Sequence, residues 1–248
     1  AKAYPSPSTK YGESVCMAGI TKDQKWIRIY PVPYRDLPPS QQFKKFQWIN
    51  IKIHKSNEKL SRPESHKADS MSIKLLDIVG TGITGWKDRE KYYKPLISNS
   101  LEVLLDQQKK SGVSLGMFMP KYVEDFEIIP DSPTWEIKKQ IAVGKISLFN
   151  QNKSLLEKIP YTFHYKFICN DDHCKGHNLT VVDWEAGESY RNFKRIYESE
   201  SLTLEKLKQK WLTYYFRERN SYFVVGTDSE FNKFMILTVV SPQRKELD

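Results

Sequence analysis

Aromatic side chains occupy every second position from Tyr161 to Phe167, and the run ends at Cys169. Only an extended chain sends alternate residues to one side, so this segment must be a β-strand with one buried aromatic face. A second strand is expected at Leu179–Trp184. The stretch between them is short, polar and rich in metal-ligand side chains. Any fold for this sequence must therefore build a sheet in its C-terminal half and fix a polar knuckle at the tip of a hairpin.

The knuckle reads Cys169-Asn-Asp-Asp-His173-Cys174-Lys-Gly-His177. Cys169, Cys174 and His177 have the spacing C-x4-C-x2-H, and a tetrahedral Zn²⁺ site needs thiolates and imidazoles this close together. Gly176 permits the tight turn before the last ligand. His173 is the nearest fourth ligand, with His164 and Cys16 as alternatives. The chain has only three cysteines, too few for a disulfide framework. Metal-bound thiols in a reducing, cytoplasmic compartment are expected instead.

Past the second strand stand Asp183 and Glu185, two residues apart. Together with His177 they suggest acid–base work or a divalent ion such as Mg²⁺, as in a metal-dependent nuclease or another phosphodiester-acting enzyme. A plainer reading has Asp183 capping a helix whose first turn favours Glu185. Gly187 stands where a restriction-type Asp/Glu-x-Lys motif would place its lysine, which argues for the plainer reading.

Charge divides the chain. Residues 1–76 carry 14 Lys and Arg against 6 Asp and Glu, a balance of +8, whereas the remainder amounts to +1. A basic module beside a neutral one suggests a polyanionic partner, DNA or RNA. Within it, Trp26–Tyr30 and Phe46–His54 alternate as strands, and a turn at Asp23 and Gln24 makes a hairpin with Ser14–Ile20. Arg28, Arg35, Lys44, Lys45, Trp48 and Lys52 are the candidate contacts, cations for phosphates and the ring for a base. Lys55–Ser72 reads as a polar loop. The organisation expected is α+β: an antiparallel β barrel of OB or PUA type in residues 1–130, then an α/β half in residues 131–248 with the Cys/His knuckle. Helices are expected at Leu96–Lys110, stopped by Gly112, and at Gly187–Glu200 and Leu202–Arg219. A closing hairpin is expected from Tyr222–Val225 and Phe234–Val240. No apolar run approaches the roughly 20 residues of a membrane span.

Three phrases carry a resemblance. Lys10–Ile20, Trp26–Arg35 and Arg62–Ser65 are similar to the N-terminal strands of prokaryotic OB-like (dual-OB-type) proteins that accompany phage-defence or mobile-element systems. The phrase Cys169…Cys174-x-Gly-His177…Asp183-Trp-Glu185 resembles a recurring signature of the same proteins. The resemblance implies a nucleic-acid-binding accessory protein working beside a larger nuclease or ATPase subunit, and it supplies no catalytic residue. A protein-binding scaffold whose basic face meets an acidic partner is the third expectation.

Overall fold

The computed structural model describes residues 1–8, 10–55, 62–82, 85–142, 156–228 and 233–244. The first of its two sheets holds β1 (Ser6–Ser8), β2 (Gly12–Ile20), β3 (Trp26–Val32), β4 (Gln47–Lys55) and β5 (Ser65–Ile78), in the order β1-β2-β3-β5-β4. The hairpin expected from alternation forms: Ile20 pairs with Trp26, and Gln24 turns the chain at a φ of 57°. β3 and β5 run parallel, whereas β4 and β5 are antiparallel.

The expected barrel is not what these strands build. Among the described residues β1 and β4 remain as edges, so the sheet is open. β1 is only three residues long, and β4 carries two register shifts against β5. Such irregularities twist an edge away from further pairing. The loop expected over Lys55–Ser72 also needs correction. Residues 56–61 lie outside the described residues, but from Ser65 onward the chain is already strand. Its polarity reflects exposure: the β4–β5 hairpin reaches past the packed body, leaving Met71 73% and Ile53 41% exposed.

The second sheet holds β6 (Ile97–Ser98), β7 (Leu115–Phe118), β8 (Tyr122–Pro130), β9 (Tyr161–Ile168), β10 (His177–Val181), β11 (Tyr222–Thr227) and β12 (Phe234–Val240), in the order β6-β7-β11-β12-β10-β9-β8. Residues 97–130 thus pair in the second sheet, and the changeover falls between Ile78 and Ile97 rather than at residue 130. α1 (Lys87–Tyr93) lies in the crossing segment. α2 (Leu101–Ser111) is capped by Ser100, whose hydroxyl accepts the Val103 N–H at 3.2 Å, and ends at Gly112 with a φ of 71°. α3 (Trp184–Tyr197) and α4 (Glu200–Lys208) follow β10, and α4 runs on into a π-helical stretch, Gln209–Arg217. Among the described residues no helix is long and apolar enough to cross a membrane.

Alternation along β11 shows how the layers stack. Phe223 and Val225 point into a core with Phe126, Tyr165, Phe167, Leu207 and Trp211, beneath the helices. Tyr222 and Val224 point the other way, into a cluster with Ile20, Trp26 and Phe46 of the first module. A buried charge helps to tie the two modules together. Arg28 of β3 is 6% exposed and donates to the carbonyls of Thr227 at 3.1 Å and Ser114 at 2.8 Å. A Cβ on Gly226 would come within 2.9 Å of that guanidinium and 2.7 Å of Leu237, so the strand passing Arg28 needs a glycine there.

Candidate metal centre and aromatic cleft

The β9–β10 hairpin forms as its alternation requires, with His177 opposite Phe167. The intervening knuckle is held by short polar contacts. The Asp171 carboxylate accepts the His173 N–H at 2.9 Å and the Ser100 hydroxyl at 3.0 Å, which fastens the loop to the start of α2. Gly176 has a φ of 91°, as the tight turn demands.

These contacts bring Glu102, Cys169, Cys174 and His177 together, with one ligand atom from each lying within 4.8 Å of all the others. The four can hold a metal ion. The fourth group is therefore Glu102, from the first turn of α2, and not His173, whose side chain is 95% exposed. His164 and Cys16 are engaged elsewhere: His164 bonds Asn178, and Cys16 accepts from Arg28.

Both sulfurs accept backbone N–H groups, Cys169 from Leu101 at 3.5 Å and Cys174 from Cys169 at 3.2 Å. The His177 ring lies 2.7 Å from one Glu102 oxygen. The other oxygen of Glu102 is buried without a hydrogen-bond partner, which a bound cation would supply. Burial works to raise the Glu102 carboxyl, but the Cys174 thiol and the His177 ring beside it prevail and bring it to about 2. Burial pushes the Cys169 thiol up, so a cation binding there would displace its proton.

His177 is thereby separated from Asp183 and Glu185. Six residues of extended chain span roughly 20 Å, so the three do not form one catalytic constellation. Asp183 caps α3: its carboxylate accepts the Glu185 N–H at 2.8 Å and the Thr238 hydroxyl at 2.7 Å. Burial is the main force raising its carboxyl to about 6. Glu185 pairs with Lys45 at 3.0 Å, and Lys45 also donates to the Val239 carbonyl at 2.8 Å.

Asp183 and Glu185 lie at one part of a cleft of about 700 Å³ between the two sheets. Trp26, Phe46, Trp48 and Tyr92 line it, together with Lys44 and Arg89. Trp48 meets Tyr92 edge-on at 5.0 Å, and the Arg89 guanidinium sits 4.1 Å from the centre of the Phe46 ring. Phe46 has a φ of 59°, a left-handed conformation that costs a bulky residue about 1–3 kcal/mol. Beside the cleft's floor, Lys2 stands 3.8 Å over the Tyr34 ring, and burial lowers its ammonium to about 8.

Of the residues expected to meet nucleic acid, Trp48, Lys44 and Lys45 line this cleft. Lys52 is exposed on β4. Arg35 is paired with Glu13 at 2.8 Å. Arg28 is the buried clamp between modules and cannot reach a strand, because both ends of its guanidinium are committed to backbone carbonyls. Sequence reasoning missed Tyr92 and Arg89, which come from the unpredicted helix α1.

A family model described as a domain of unknown function (DUF8757) matches residues 97–248, which is the whole second sheet with its helices and the four candidate metal ligands. The chain belongs to the DUF8757 family. A second model, also a domain of unknown function (DUF8758), matches residues 1–95 and so covers the first sheet. The cleft thus lies where the DUF8757 part meets the DUF8758 part. No curated protein and no solved structure matches the chain.

Proposed function

We propose that the protein binds nucleic acid through unpaired bases laid along the cleft between its two sheets, as an accessory to a larger nuclease or ATPase subunit in a phage-defence or mobile-element system. The observation that carries this reading is the composition of the cleft: Trp26, Phe46, Trp48 and Tyr92 share it with Lys44 and Arg89. Aromatic faces stack any base, and cations beside them follow the phosphates. The +8 balance of residues 1–76 supports the same partner. Binding to single- and double-stranded oligonucleotides at low and moderate salt tests it. A preference for single strands that weakens as salt rises is expected, because neutralised phosphates release counterions. Absence of binding at low salt overturns the reading.

In the same reading the Glu102/Cys169/Cys174/His177 group holds one structural Zn²⁺. Two sulfurs, one nitrogen and one carboxylate oxygen are ligands that zinc accepts at about 2.0–2.3 Å, and four protein ligands leave no open position for chemistry. Reduced thiols suit a cytoplasmic protein. The barrel expected of an OB-like protein is no part of this proposal.

A second reading, a phosphodiester-acting enzyme, is favoured by one observation: Asp183 and Glu185 line the same cleft. Cleavage of oligonucleotides with Mg²⁺ or Mn²⁺, lost in Asp183→Asn, would establish it. Intact substrate under all conditions removes it.

A further inference from the structure

The carboxylate part of the cleft has a chemistry that stacking alone does not use. Asp183 has both oxygens committed, one to the Glu185 N–H and one to the Thr238 hydroxyl. It is a fixture that sets the first turn of α3 and so aims Glu185. Glu185 differs. One of its oxygens accepts from Lys45, and the side chain remains 43% exposed. An ionised carboxylate only accepts hydrogen bonds, and it has capacity for more than one. Lys45 is held in place by the Val239 carbonyl as well as by Glu185. It therefore neutralises the carboxylate and is not a free hand for phosphates.

The surroundings restrict what can approach Glu185. The walls are aromatic and flat, and Phe46 is kept against Arg89 in a backbone conformation that bulky residues avoid. A cavity of about 700 Å³ is in the range of small-molecule sites and accommodates a nucleotide. Lys2, Lys44, Lys45 and Arg89 line it against two carboxylates, so an organic cation is disfavoured and a neutral ring with an anionic tail is favoured.

Resting on the nucleic-acid reading above, we propose that Glu185 reads one unpaired base by accepting a hydrogen bond from its exocyclic amine. Cytosine offers an amine at the position where thymine and uracil offer a carbonyl. Facing that carbonyl with a carboxylate sets two acceptors together, with no donor between them. The two pyrimidines have nearly the same size and stacking area, so the difference isolates the carboxylate. A sequence-tolerant cleft thereby gains a built-in preference at a single position.

The test uses the full chain and quenching of its tryptophan fluorescence, since Trp26 and Trp48 line the cleft. Short oligomers of dC, dT, rC and rU are titrated against wild type and Glu185→Gln, with melting curves to confirm that the variant folds. Wild type is expected to bind the cytosine oligomers about tenfold tighter than the thymine and uracil oligomers. Glu185→Gln, whose amide both donates and accepts, should erase most of that preference and keep the salt dependence. The ribose and deoxyribose arms tell whether the strand is RNA or DNA. Equal wild-type affinity for cytosine and thymine or uracil, with salt-dependent binding intact, overturns the inference and leaves the nucleic-acid reading standing. An undiminished preference in a folded Glu185→Gln also overturns it. No binding to any oligomer at low salt overturns both.

Discussion

The two sheets of this protein solve different problems. The second is a dry scaffold: Phe126, Tyr165, Phe167, Phe223 and Trp211 are fully buried between strands and helices. The first is thin and half wet. Its own core is a smaller aliphatic cluster around Val15, Ile29, Val32 and Ile73, and its β4–β5 hairpin exposes apolar residues along its length. A rigid sheet covered by helices and a lighter sheet leaning on it leave a crevice between them, and binding sites recur at such junctions. The larger core and the aromatic lining of the cleft therefore belong to separate parts of the chain, joined by Arg28 and by the cluster around Trp26, Tyr222 and Val224.

This division fails if the second core is not dominant. Trp211→Ala should cost about 3–5 kcal/mol in denaturant unfolding, because it empties a large, fully buried volume. Ile53→Ala on the exposed hairpin should stay within roughly 0.5 kcal/mol. Similar losses for the two would show that the modules share one core evenly.

The candidate metal centre lies in the second module alone, so an ion bound there would brace only that module. Protein purified without a histidine tag should carry about one zinc per chain by elemental analysis. Cys174→Ser and Glu102→Gln should each lower that occupancy and the melting temperature, whereas His173→Ala should change neither. Wild type that is folded and metal-free, with Cys174→Ser melting at the same temperature, would make the cluster an ordinary loop.

Severing the tie between modules has a smaller effect. Arg28→Met leaves two buried carbonyls without their charged donor, at a cost of about 1.5–3 kcal/mol. Separate transitions for the two modules are the expected signature in unfolding followed by probes in each. A single unchanged transition would show that apolar contacts alone couple them.

How far these features were legible in the sequence follows the same division. Strands β9 to β12 and helices α2 to α4 could be read because a buried face imposes strict periodicity on aromatic and aliphatic residues. The first part of β5 was hidden, since residues 65–72 are mostly polar and none of them is buried, so no apolar alternation marks them. Three of the four metal-site residues lie within one knuckle, but Glu102 is 75 residues from His177 and reaches it only through tertiary packing. Arg28 looked like a phosphate contact because composition does not distinguish a cation facing solvent from one facing buried carbonyls. Asp183 and Glu185 were visible as a pair, but their distance from His177 follows from β10 being extended.

The dependence of stability on pH should change least. The Asp183 carboxyl titrates higher in the folded chain than in the unfolded one, near 6 against an ordinary 3.8. The native state therefore binds more protons between these values, and this residue's contribution to stability is present below about 4 and lost as pH rises through 6. Asp183→Asn, which keeps the helix cap, should flatten that part of the stability–pH curve. An identical slope in wild type and variant would contradict the burial argument.

Whether a strand lies in the cleft between the sheets can be read from ultraviolet cross-linking to a short single-stranded oligonucleotide with mass-spectrometric mapping. Cross-links are expected at Trp26, Phe46, Trp48 or Tyr92, and Trp48→Ala should weaken binding about fivefold or more, in line with the roughly 1–3 kcal/mol of one stacked base. Cross-links confined to the outer face of β8 and β9, with Trp48→Ala binding as wild type does, would contradict it.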